Sequence, residues 1–310
     1  MSESLENVHK NEIIKTLLYF DIFNYPLKEN EIYENLSINY DYQDFKAYLN
    51  LLIEEEVLIC KDGFFLVPTS EFSNIERRVK GNKGAAIMLP EAYKYSKKIA
   101  ALPFIEGVCL SGGISKNYYD KESDIDFFII TSKNRLWVSK VLTKIFYNLQ
   151  PVKRRKQYCM NYFVSENNLE IPDHNHFVAT ELAHLIPTVN YDIYNNILKK
   201  NIWYKTFLPN KKEFDLENCQ KKQSGILKKF IESVLAGKLG DIIDNYLFNW
   251  GLKRIKMRFP KPTEEDFELK FRTKKDVCKR HEKGHQNKIL DLWDKKLQEF
   301  EKNYNPSILK

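Results

Sequence analysis

"LSGGISKNYYDKESDIDFFII" (residues 110–130) decides how this chain is read. It holds two adjacent glycines, a gap over 114–123, and then two aspartates one residue apart at the head of an apolar run. Just upstream, "FIEGVCLSG" (104–112) reads as a strand with Ile105, Val108 and Leu110 apolar, broken by Gly112-Gly113. "ISKNYYDKES" follows as a short helix and loop, and "DIDFFIIT" (124–131) as a second strand, mostly β-branched and aromatic. Period-two alternation sets Asp124 and Asp126 on one face and Ile125 on the other. Carboxylates about 7 Å apart along a strand repel unless a cation lies between them. A hard divalent ion such as Mg2+ meets that need and leaves room for phosphate oxygens. The glycines meet another: with no side chains, the backbone comes close to a triphosphate lying over the first N–H groups of the next helix.

The surrounding composition fits a folded protein. The 310 residues allow two or three domains, and a 43% hydrophobic, 14% aromatic content excludes a disordered chain. No apolar run approaches the roughly 20 residues of a membrane span, so no membrane partner is expected. The start, "MSESLENVHKNEIIKTLL", lacks the basic and apolar regions of a secretory signal. Five scattered cysteines with no CxxC pair read as reduced thiols, and the expected location is cytoplasmic. The net charge of +7 is unevenly divided. Residues 1–68 carry 5 basic and 13 acidic residues, a net of −8, which leaves +15 on the remainder. Any polyanion or nucleotide is therefore expected on the middle and C-terminal parts.

Residues 1–70 read as a winged helix. "NEIIKTLLYFDIF", "PLKENEIYENL" and "YDYQDFKAYLNLLIEEEVL" supply three helices by their apolar spacing, and "VLICKDGFFLV" (57–67) is a hairpin around Asp62-Gly63. The third helix carries Asp41, Asp44 and Glu54 to Glu56 against Lys46, a poor charge pattern for duplex DNA. A connector over 71–103 reads as two helices broken around Gly81 to Gly84, strongly basic through Arg77, Arg78 and five lysines. Either that face is solvated, or it is a cationic wall beside a phosphate cleft.

An apolar residue followed by Ser-Gly-Gly, a gap, and Ser-Asp-Ile-Asp before an apolar strand resembles the signature of the DNA polymerase beta-type nucleotidyltransferase superfamily. The resemblance implies that Gly112 and Gly113 hold phosphates, with Ser111, Ser115 and Ser123 as further nucleotide contacts. It implies that Asp124 and Asp126 are catalytic residues and ligands of Mg2+ or Mn2+. "LLYFDIFNYPL", "ELAHLIPTVN" and "NIWYKTFLPN" extend the likeness to a bacterial set that joins a winged helix to the transferase core and a helical tail. The superfamily also places a third carboxylate on a later strand. Here that strand is "QYCMNYFVS" (157–165), and the position facing the aspartates reads as Asn161, a neutral metal ligand that cannot act as a base. Glu166, Glu170 and Asp173 are the alternative carboxylates.

The expected architecture is α+β: a winged helix (1–70), a helical connector (71–103), a nucleotidyltransferase-type mixed-sheet core with flanking helices (104–175) and a C-terminal helical bundle (176–310). "KRRK" (153–156) reads as a basic turn, and "CKRHEKGH" (278–285) as a helix with Cys278, His281 and His285 along one face, a weak zinc pattern. The expected activity is transfer of NMP from an NTP to a small-molecule or protein acceptor, favoured over nucleic acid because the winged helix is acidic. Two other readings stand beside it: a catalytically inactive nucleotide-binding or scaffold protein of the same fold, and a DNA-binding regulator.

Overall fold

Turn chemistry and amphipathic spacing build the N-terminal module as the sequence predicts. The computed structural model describes residues 2–212, 214, 218–222, 224–259, 263–279 and 285–304. Helices α1 (Ser2–Asp21), α2 (Glu29–Glu34) and α3 (Tyr42–Glu54) are followed by strands β1 (Ile59–Lys61) and β2 (Phe64–Leu66). Asp41 caps α3 by accepting from the Gln43 N–H at 2.7 Å. Asp62 and Gly63 both take positive φ (54° and 75°), the two-residue turn that joins antiparallel strands without splaying them. Ile13, Ile14, Leu17 and Leu18 of α1 pack on Phe45, Leu49 and Leu52 of α3. The last helix, α13 (His285–Tyr304), returns to this core with Ile289 and Phe300, and Trp293 donates to the Lys15 carbonyl at 3.0 Å.

The connector is one helix, α4 (Ser73–Ala100), where two were expected. Gly81 and Gly84 do not break it; they admit a neighbour. A Cβ on Gly81 would lie 2.2 Å from the Tyr118 ring, and one on Gly84 would lie 2.1 Å from the Tyr119 carbonyl. Of its cations, Arg78 is 2% exposed. It pairs with Glu31 at 2.6 Å, donates to the Pro26 carbonyl at 2.8 Å and lies 3.7 Å over the Tyr25 ring. Arg78 therefore fastens α4 to the winged helix, so it forms no part of a free cationic wall.

The core is a five-stranded mixed sheet in the order β6-β3-β4-β5-β7. Strand β3 (Ile105–Ser111) leads through the one-turn helix α5 (Gly112–Ser115) to β4 (Ile125–Thr131), and the two strands are antiparallel. Strand β5 (Tyr158–Ser165) runs parallel to β4, which requires a crossover. Helices α6 (Leu136–Asn148) and α7 (Val152–Gln157) make that crossover, so the "KRRK" stretch is helical where a turn was expected. Alternation divides the sheet cleanly. Val108, Leu110, Ile125, Phe127 and Ile129 face α4 and α6, whereas Cys109, Phe128 and Ile130 face α8 (His176–Ala183) and α9 (Tyr191–Lys200).

Both edge strands come from the C-terminal half, and neither was expected. Strand β6 (Ile186–Val189) contains Pro187, which an edge strand tolerates because its N–H need not join the ladder. Strand β7 (Val277–Lys279) carries Cys278 buried against β5, so Cys278 lies in a strand and not on the expected helix; His281 lies outside the described residues. Helices α10 (Ile226–Val234), α11 (Lys238–Arg258) and α12 (Glu264–Phe271) complete the C-terminal helical bundle. Asp244, fully buried on α11, accepts from the Trp137 and Val138 N–H groups at 2.8 and 2.9 Å, which caps the start of α6. Among the described residues, no helix is long and apolar enough to cross a membrane.

Candidate metal and nucleotide site

The antiparallel pairing of β3 and β4 sets Ser111 opposite Asp126, which brings the glycine turn against the acidic strand head. Gly112 has φ +68°, and a Cβ there would stand 2.3 Å from Asp126 Oδ2. Only glycine meets both conditions, because a side chain in this left-handed region is strained and would collide with the carboxylate. The turn is braced from behind. The Tyr119 N–H donates to the Gly81 carbonyl at 3.0 Å, Arg77 lies 4.8 Å over the Tyr118 ring, and the Tyr25 hydroxyl donates to the Lys116 carbonyl. The winged helix and α4 thus fix the loop that shapes the site.

Asp124 is exposed at the strand head and Asp126 is half-buried beside it, while Ile125 is buried on the opposite face. The parallel register pairs Asp126 with Cys159 of β5. Ligand atoms of Asp124, Asp126 and Cys159 all lie within 4.8 Å of one another. The Asp126 carboxyl is pushed up to about 7, first by burial, then by the negative charges of Asp124 and Glu181. Lys116 and the thiol of Cys159, which donates to Asp126, act in the opposite direction. A metal-free cluster of this kind is electrostatically unfavourable, and a divalent cation relieves it.

Lys116 reaches across from the glycine loop to α8, donating to Glu181 Oε1 at 2.8 Å and to the Gly112 carbonyl at 3.3 Å. It is the cation beside the carboxylates, and with Glu181 and Cys159 it was not singled out in the sequence. The signal for Cys159 was present, since it stands two residues before Asn161 and a regular strand would put both on one face. Choosing between the two requires the register.

That register corrects the expectation for Asn161. Pairing runs Asp126↔Cys159 and then Phe128↔Tyr162, with a bulge between. A bulge inserts one residue and resets the alternation, so strand parity does not carry from Cys159 to Asn161. The third donor beside the aspartates is Cys159; the Asn161 side chain lies outside the described ones. Nor does the next carboxylate along β5 substitute. Glu166 follows the far end of β5, where it accepts from the Lys133 N–H at 3.1 Å, and Asp173 is engaged by Arg272 at 2.6 Å. The other expected contacts surround the loop, with the hydroxyls of Ser115 and Ser123 engaged. Ser115 is buried and donates to the Gly112 carbonyl at 2.9 Å, and Ser123 donates to Asp120 Oδ1 at 2.7 Å. Ser111 is half-buried at the end of β3, and a Cβ on Gly113 would meet the Tyr118 carbonyl at 3.2 Å. His184, at the end of α8, is buried and bonded to the Thr180 carbonyl at 2.8 Å. Burial, with Lys211 and Lys116 nearby, holds it well below the ordinary histidine range, so it stays neutral.

The donor chemistry fits a divalent cation. Two carboxylates converging at the mouth of a glycine turn suit Mg2+ or Mn2+, whereas a thiol as the third donor departs from the all-oxygen set that Mg2+ prefers. An antiparallel strand pair joined by the glycine turn, with the aspartates on the second strand and a parallel third strand beside them, is consistent with a nucleotidyltransferase-type core behind a winged helix. Comparisons with protein-family models, curated proteins and solved structures found no match.

Proposed function

We propose that this chain binds a nucleoside triphosphate with a divalent cation at Gly112, Gly113, Asp124 and Asp126, and transfers the nucleotidyl group to a small-molecule or protein acceptor. The observation that carries the reading is the convergence of Asp124, Asp126 and Cys159 within 4.8 Å at the glycine turn. The bound cation would supply charge neutralisation for the phosphates and polarise the group being transferred. The chain's own residues do the rest. Gly112 leaves the space that Asp126 fills, Asp124 presents an exposed carboxylate to the incoming ligand, and Lys116 offers a positive charge at the phosphate end of the loop. The backbone of Gly112 and Gly113 gives a triphosphate close access without side chains in the way. Acceptor recognition is assigned to the surface formed with the C-terminal helices. Five free thiols suit a cytoplasmic location.

A second reading, nucleotide binding without turnover, is favoured by one observation: Cys159 stands where a third carboxylate would complete the site and help deprotonate an acceptor. The acidic winged helix argues against duplex DNA as a partner. Titration calorimetry with each of the four NTPs, with and without a divalent cation, tests the proposal. Cation-dependent binding in wild type that is lost in Asp124→Asn/Asp126→Asn supports the site, and transfer of α-labelled nucleotide to an acceptor separates the two readings. Equal binding by wild type and the double variant rejects both.

A further inference from the structure

We infer that the site selects a thiophilic divalent cation, of the Zn2+ and Co2+ class, with Cys159 as a thiolate ligand beside Asp124 and Asp126, in preference to Mg2+. The inference rests on the reading above, in which the two aspartates hold a metal, and it specifies which metal.

Three observations carry it. First, Cys159 is placed by the backbone: it is the register partner of Asp126 across the parallel β4–β5 ladder, so a main-chain hydrogen-bond pattern holds it there. Second, its Sγ faces the aspartates and lies on their side of the cluster. Third, one atom from each of the three side chains lies within 4.8 Å of the other two. Metal–oxygen bonds of about 2.1 Å and a metal–sulfur bond of about 2.3 Å put donor atoms on a tetrahedron with edges of about 3.5 Å. Each donor therefore needs to move by only about an ångström or less to close the site.

Softness then decides the metal. Thiolate is a poor ligand for Mg2+, which holds near-ideal octahedral oxygen sets and sheds water reluctantly. Zn2+ and Co2+ accept sulfur readily, and three protein ligands with one open position is the arrangement of zinc sites that take a further ligand. On binding, the S–H bond breaks, a metal–sulfur bond forms, and the proton leaves to solvent. No oxidant or reductant is involved.

The test uses the full chain with Cys60→Ser and Cys219→Ser, since one of these thiols is exposed and the other half-buried. Co2+ serves as the optical probe, read by thiolate-to-cobalt absorption in the near ultraviolet, with Zn2+ and Mg2+ as competitors. The band is expected in this background and absent in Cys159→Ser. Zn2+ binds most sites more tightly than Mg2+, so the deciding quantity is the Zn2+/Mg2+ affinity ratio. That ratio is expected to fall about tenfold or more in Cys159→Asp, which replaces sulfur by oxygen. Co2+ that binds without the band, or a ratio unchanged in Cys159→Asp, overturns the inference while leaving the aspartate site intact. Cation binding that is absent, or indifferent to Asp124→Asn/Asp126→Asn, overturns the inference together with the reading beneath it.

Discussion

Replacing Asp126 by Asn is expected to stabilise the metal-free protein at pH 8 while removing its cation site. Burial and the charges of Asp124 and Glu181 raise the Asp126 carboxyl from its ordinary 3.8 to about 7. Between those two values the folded chain keeps a proton that the unfolded chain has released. Stability therefore falls as pH rises through that window, and the loss is complete above about pH 7. At about 1.4 kcal/mol per pKa step, the shift sets a ceiling of roughly 4 kcal/mol. Asp126 is only half-buried and Lys116 lies close, so solvent screening reduces the expected effect to about 1–3 kcal/mol. Asparagine is neutral throughout and carries no such cost. The assay is urea unfolding of wild type and Asp126→Asn in chelator at a series of pH values from 4 to 8. The stability gap should be near zero at the acid end, widen in favour of the variant through the window, and level off above it. A gap that does not grow with pH, or a variant less stable than wild type at pH 8, would refute the electrostatic account of this site.

Four further outcomes follow. Gly112→Ala should cost about 1–2 kcal/mol for its left-handed backbone alone; it should also displace Asp126, so cation affinity, read by calorimetry, should drop more than stability does. Arg78→Ala removes a buried cation that joins α4 to Glu31, Pro26 and Tyr25, and should cost about 3 kcal/mol in thermal or urea unfolding. By contrast Tyr246→Ser, at a side chain 67% exposed on α11, should shift stability by less than about 0.5 kcal/mol. Gly84→Ala, distant in sequence from the acids, should loosen the glycine loop through the Tyr119 carbonyl, visible as faster amide exchange over 112–119.

Much of the fold could be read directly because its signals are local. Asp62-Gly63 carries the hairpin, the spacing of Ile13 to Leu18 carries α1, and the alternation of 124–131 carries β4, with Ile125 on the face opposite the aspartates. The site's aspartates and Gly112 belong to the same class, because their chemistry and spacing lie within one short stretch. What escaped was non-local. Gly81 and Gly84 looked like helix breaks, yet they exist to receive Tyr118 and Tyr119 from a loop far along the chain. Pro187 falls within 176–310, expected to be wholly helical, but it sits in an edge strand that needs no N–H there. Asn161 looked like the third ligand because parity is legible in a strand and a bulge is not; the bulge shifts that position and leaves Cys159 opposite Asp126. Glu181 and Lys116 meet only because α8 crosses the same sheet face as the glycine loop.

The most direct test of the central claim is a crystal of the full chain soaked with Mn2+ and a non-hydrolysable NTP, with anomalous data collected at the manganese edge. Mn2+ takes carboxylate oxygens, so it reports the two aspartates whether or not Cys159 binds it. The account predicts an anomalous peak bridging the Asp124 and Asp126 carboxylates, with phosphate density over Gly112 and Gly113. Ordered nucleotide elsewhere, or saturating Mn2+ with no peak at these aspartates, would contradict it.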